Sequence, residues 1–204
     1  MKNNSNIQSL LTRGETERIW STLSELRYIF SHAMLRDALY EMQLKSRLRE
    51  LHKLAGDTMV RLYPEDKEKF TEIANHYEKT EEMELARKYF TMAGKMLEDS
   101  FKYRDAYTCF SRALSCSNRL FDSENPEVAD DMYNLGRLSF DLGHYDEAES
   151  LYEQVIAIRE NSAASDTNEI ISVKSRLATV YEKKGEFKPA EEIYLSLLKL
   201  GRET

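Results

Sequence analysis

Only 3 prolines and 7 glycines occur among 204 residues, so few turns can be built on them. Cysteine is scarcer still. Cys109 and Cys116 lie seven apart inside one predicted helix, about 10.5 Å along its axis and too far for a disulfide. They read as small buried apolar groups in a reducing compartment. No stretch of 18 apolar residues exists, which excludes a helical membrane span. Met1-Lys2-Asn3-Asn4-Ser5-Asn6 leads into no apolar signal region, so a cytoplasmic protein is expected. Basic excess is also missing. A net charge of −7 argues against a nucleic-acid or anionic-membrane platform, both of which need a basic face.

What the chain does have is helix-forming composition and a period. Hydrophobic residues make up 41% and charged residues 32%, with Glu, Lys, Leu and Arg abundant. Tyr103, Tyr145 and Phe187 recur every 42 residues. So do Ala106, Ala148 and Ala190, then Phe110, Tyr152 and Tyr194, then Ala113, Val155 and Leu197. Upstream, Ala93, Leu135 and Leu177 repeat beside Gly94, Gly136 and Ala178. A period in this range marks an array of helical hairpins, each unable to bury its apolar face alone. The small residues at 148 and 190 suit close helix crossings, and Gly143 and Gly185 suit left-handed turns within hairpins.

Along the chain, residues 1–16 are polar and read as a disordered tail. Residues 17–62 read as a helical junction with a possible short strand at 27–30. Ala33, Leu35, Ala38, Leu39 and Met42 form one apolar stripe, and Ser46 is placed to cap the next helix. From residue 63 to 204 the hairpins follow. Helices are expected over about 65–79, 83–99, 103–119, 126–142, 145–159, 169–184 and 187–200. The fold class is therefore all-α, a right-handed superhelical solenoid of antiparallel hairpins. Leu195, Leu198 and Leu200 leave an apolar last helix with no polar cap, from which we expect the solenoid to continue.

Leu135-Gly136, Gly143, Tyr145, Ala148, Tyr152 and Val155 resemble the tetratricopeptide repeat. Leu177-Ala178, Tyr181, Gly185, Phe187, Ala190, Tyr194 and Leu197 do likewise. The 42-residue spacing is similar to that in kinesin light chains, and Glu124-Asn125-Pro126-Glu127-Val128-Ala129 resembles their connector. Ile73-Ala74, Tyr77, Met83, Ala86, Phe90 and Ala93 also fit the motif, but Ala86 precedes Ala106 by only 20 residues. The helix from Met83 is thus expected to serve two hairpins.

A second resemblance covers about residues 26–62. Tyr28-Ile29-Phe30-Ser31-His32, Tyr40 and Arg47-Leu48-Arg49-Glu50-Leu51-His52 resemble the junction between winged helix and repeats in signal-transduction ATPases and ATPase-linked cyclases. Residues 17–62 would then be a remnant of a winged helix. The chain itself has no G-x-x-x-x-G-K-[ST] loop and no cyclase signature.

Chemistry has little to stand on. His32, His52, His76 and His144 show no metal-ligand spacing, and no nucleophile elbow occurs. The acidic residues Glu65, Asp66, Glu68, Glu81, Glu82 and Glu84 sit at helix starts and complement helix dipoles. We expect no catalytic, cofactor or metal residues. The repeat resemblance implies a concave groove lined by the first helix of each hairpin. The positions are Asn75, Glu78 and Lys79; then Tyr133, Arg137, Phe140 and Asp141, beside Asp130; then Thr179, Glu182 and Lys183, beside Ser172 and Ser175. Tyr133 and Phe140 could instead pack against an adjacent helix. Of the Lys and Asn residues that a clamp for chaperone C-termini needs, only Asn75 fits. The function expected is a non-enzymatic scaffold for a protein or peptide partner. The alternative is a regulatory or sensor segment of a larger signalling ATPase or nucleotide cyclase.

Overall fold

Residues 20–23, 27–30, 45–162 and 166–203 are described in a computed structural model of the chain. They fall in two units, divided after Leu48. In the first, β1 (Trp20–Leu23) pairs antiparallel with β2 (Arg27–Phe30), with Trp20 opposite Phe30 and Leu23 opposite Arg27. The sequence pattern marks only 27–30, because Trp-Ser-Thr-Leu is too short and too mixed to show a strand period. The tail over 1–16, the stripe from Ala33 to Met42 and His32 lie outside the described residues.

Eight α-helices follow among the described residues: α1 (Lys45–Leu62), α2 (Phe70–Glu78), α3 (Met83–Asp99), α4 (Tyr103–Leu120), α5 (Pro126–Asp141), α6 (Tyr145–Asn161), α7 (Thr167–Lys184) and α8 (Phe187–Glu203). Since α1 begins at Lys45, Ser46 lies within it rather than ahead of it. Other starts carry recognisable caps. The Asn125 side chain accepts from the Glu127 N–H at 2.9 Å, with Pro126 in the first turn, and Asp166 accepts from the Asn168 N–H at 2.9 Å.

The three long hairpins, α3–α4, α5–α6 and α7–α8, close through one turn repeated at the 42-residue period. The N–H groups of Lys102, His144 and Glu186 reach the carbonyls of Leu97, Ser139 and Tyr181 at 2.9, 2.8 and 2.8 Å. This closure needs a left-handed residue one position earlier. Gly143 and Gly185 supply it at φ +81, and Phe101 takes the same place at φ +59.

Two apolar clusters hold the second unit together. Phe70, Ile73, Ala74 and Tyr77 of α2 meet Ala86 and Phe90 of α3 and the Cys109–Ala113–Cys116 face of α4. The other face of α4, through Ala106 and Phe110, joins α5, α6 and α7 around Val128, Leu138, Tyr152, Val155 and Val173. Phe90 and Phe110 are fully buried, each worth about 2–3 kcal/mol of apolar transfer. The period's small residues are contact points. A Cβ on Gly94 would stand 2.8 Å from the Phe110 ring, and one on Gly136 would stand 3.0 Å from Tyr152. The α3 helix packs against α2 on one side and α4 on the other, so one helix serves two hairpins.

Candidate functional site

The groove positions expected on α5 are crowded by charge-bearing partners from neighbouring helices. Tyr133 is half-buried, with the guanidinium carbons of Arg159 and Arg176 at 5.6 and 5.5 Å from its ring centre. Its hydroxyl accepts from Arg176 Nε at 2.8 Å, and its ring leans on Tyr152 at 6.1 Å. Arg159 is held in turn by Asp130 at 2.8 Å. One helical turn on, Arg137 donates both terminal nitrogens to Glu98 of α3, at 2.6 and 2.7 Å. That bidentate pairing raises the arginine pKa against the cost of burial. Phe140 packs on Tyr145 at 5.6 Å and, with Tyr152, Arg176 and Thr179, borders a cavity of about 60 Å³. Burial pushes the Asp141 carboxyl up, while Arg137 pulls it down.

The period therefore gathers Tyr133, Arg137, Phe140, Asp141 and Thr179 on one face. Tyr133 and Phe140 also belong to the core margin there. Asn75 and Glu78 are elsewhere, tied to α4. Arg112 Nη1 donates to Asn75 Oδ1 at 2.6 Å, its Nε donates to Glu78 Oε1 at 3.1 Å, and Nη2 pairs with Glu78 Oε2. Arg112 also lies 4.2 Å over the Phe90 ring. Lys79, Glu182 and Lys183 are exposed.

Sequence reasoning passed over the groove positions on α3, although the period points to them. Thr91 and Lys95 stand 42 residues before Tyr133 and Arg137. Thr91, Lys95, Asp130, Tyr133 and Asn134 border a cavity of about 340 Å³ between α3 and α5, with Arg87 and Asp131 beside them. Asp131 is only 2% exposed and accepts from Arg87 Nε at 2.6 Å and Ser117 Oγ at 2.5 Å. Burial works against the Arg87 charge, but Asp131 and Glu127 override it and leave its pKa raised. This network joins α3, α4 and α5. It had no sequence signal, because a buried carboxylate looks like any other on a charged helix.

Both cysteines are buried free thiols, and burial pushes Cys116 up to about 11 and Cys109 upward as well. Among the described residues no group of three His, Cys, Asp or Glu could hold a metal. His52 and His76 face each other through their Nδ1 atoms at 3.0 Å where α1 meets α2. Glu81 and Glu82 do more than complement a helix dipole, since they pair with Arg49 and Lys53 of α1. Among the described residues no helix is long and apolar enough to cross a membrane.

No curated protein sequence matches this chain. The family model of the tetratricopeptide repeat matches residues 92–161. Among solved structures, the nearly identical TPR-like repeats of a putative kinesin light chain from Podosopora anserina superpose with a TM-score of 0.60 at 21% identity. That match covers 80% of this chain and 79% of the other. BtubC (BKLC) from P. vanneervenii gives 0.61 at 21% identity, over 82% and 70%. The TPR domain of Arabidopsis FLU gives 0.53 at 21% identity, over 60% and 99%. Identities this low speak for the fold alone. Residues 92–161 match the tetratricopeptide repeat, and the helical unit around them has the solenoid fold of the structures it superposes on.

Proposed function

We propose that this chain is a non-enzymatic scaffold that binds a protein or peptide segment along the face formed by α3, α5 and α7. The observation that carries this is the α3–α5 cavity of about 340 Å³, in which an aromatic ring fixed by two arginines adjoins Lys95 and Asn134. Tyr and Arg held rigid lose little entropy on binding, and Lys95 and Asn134 offer donors to a peptide backbone or carboxylate. Arg137, Phe140 and Tyr133 act as the frame of this surface, and Lys95, Asn134, Asp141, Glu182 and Lys183 meet the partner. A cytoplasmic setting fits the two buried free thiols.

The test is selection of random displayed peptides on the immobilised protein. Enriched peptides should lose about tenfold or more in affinity on Lys95→Glu or Asn134→Ala, the scale of an interface anchor. Arg104→Ala, an exposed change on α4, should leave affinity unchanged. If peptides bind equally well to all variants, this face is not the binding surface.

A second reading, a sensor segment of a larger signalling ATPase or cyclase, draws support from the antiparallel β1–β2 pair ahead of the helices. Sequencing the gene on either side of this segment tests it. A P-loop module in the same reading frame supports that reading, and its absence removes it.

A further inference from the structure

The period that builds the solenoid also shows where it departs from its own pattern. In the α5–α6 hairpin, Met132 and Leu151 are buried at 9% and 8% exposure and fill the space between the helices. Forty-two residues later Met132 becomes Lys174, and Leu151 becomes Ile193. A lysine cannot fill an apolar seam, and Lys174 turns to Glu160 at 2.6 Å instead. Lys174 lines a groove of about 610 Å³ bordered by α6, α7 and α8. Its floor is apolar, from Ile156, Leu177 and Ile193, and its rim carries Glu153, Glu160 and Glu192 against the single Lys174. Pro189 and Ala157 also line it.

We infer that this groove is a second docking surface, distinct from the α3–α5–α7 face, and that it takes a short basic amphipathic segment of a partner protein. An apolar floor between helices receives the apolar side of such a segment, as amphipathic helices enter grooves elsewhere. The carboxylate rim selects lysine and arginine on its flanks and disfavours acidic segments, in keeping with the chain's net charge of −7. The groove's volume lies within the range of ligand clefts.

The test uses the whole chain and a fluorescein-labelled peptide of alternating Lys-Leu-Ala triplets, with a Glu-Leu-Ala peptide as control. Fluorescence anisotropy should show binding of the basic peptide only, weakening as salt rises. Ala157→Trp, which fills the groove from an exposed position, should abolish binding. Glu192→Lys should weaken it about tenfold, as loss of a complementary rim charge with gain of a like one does. Lys95→Glu, on the other face, should leave it unchanged. Equal binding of both peptides, no binding of the basic one, or affinity unaltered by both groove variants overturns the inference. Failure here leaves the α3–α5–α7 face untouched, because its variants are read with different peptides.

Discussion

Phe101 is the residue that obeys the repeat's geometry against its own chemistry. It stands at the left-handed turn position that Gly143 and Gly185 fill one and two periods later, yet it carries a side chain 78% exposed to solvent. A left-handed L-residue costs about 1–2 kcal/mol, and glycine's extra unfolded-state freedom returns about 0.5–1 kcal/mol. Phe101→Gly should therefore stabilise the protein by about 0.5–1 kcal/mol, read as a higher urea midpoint with unchanged m-value. A lower midpoint would mean that the edge contact with Tyr103, 6.2 Å between ring centres, outweighs the strain. At this scale the sequence showed small residues where helices cross and could not show pairings. Arg137 and Phe140 read as groove positions, and their contacts with Glu98 and Tyr145 appear only in the structure. Arg112 carried no signal, because its partners Asn75 and Glu78 are 37 and 34 residues away.

At the scale of elements, α1 is attached through polar contacts more than through core. Leu51 and Leu54 are exposed at 45% and 64%, while Tyr77 hydroxyl donates to Asp57 at 2.9 Å and the His52–His76 pair sits beside it. Desolvation lowers the His52 pKa first, with Lys79 and His76 adding to it. A folded-state value below the unfolded one means that this contribution is fully present above about pH 6.5 and is lost as pH falls through the lowered value. Limited proteolysis of the α1–α2 connection around Tyr63-Pro64 should therefore accelerate between about pH 7 and pH 5. His52→Gln should flatten that dependence. Cleavage rates equally pH-dependent in the variant would show that His52 is not the source of the effect. The sequence placed this helix correctly but not what it rests on, since surface charges on a helix do not announce their partners.

Across the helical unit, burial is greatest in the middle and falls toward α8. Phe187, Leu195 and Leu198 are 69%, 50% and 60% exposed. Tyr194 and Leu197 are only partly buried, whereas the aligned α4 and α6 positions Phe110, Ala113, Tyr152 and Val155 are 1% exposed or less. Solenoid stability is roughly a sum over neighbouring contacts, so the ends open first. Native-state hydrogen exchange should find the slowest amides in α3–α6 and the fastest helical amides in α8. Uniform protection across the unit would show a single cooperative body instead.

The sequence by itself determined the helices, the 42-residue period, the turns at Gly143 and Gly185, and the double use of α3. Each is a matter of spacing along one chain, where the helical period and backbone sterics act locally. Only the tertiary structure decided which charges are buried, which groove residues are locked by partners, and where a cleft opens beside Lys174. Those outcomes depend on side chains from helices about one repeat apart, whose distances no single segment encodes.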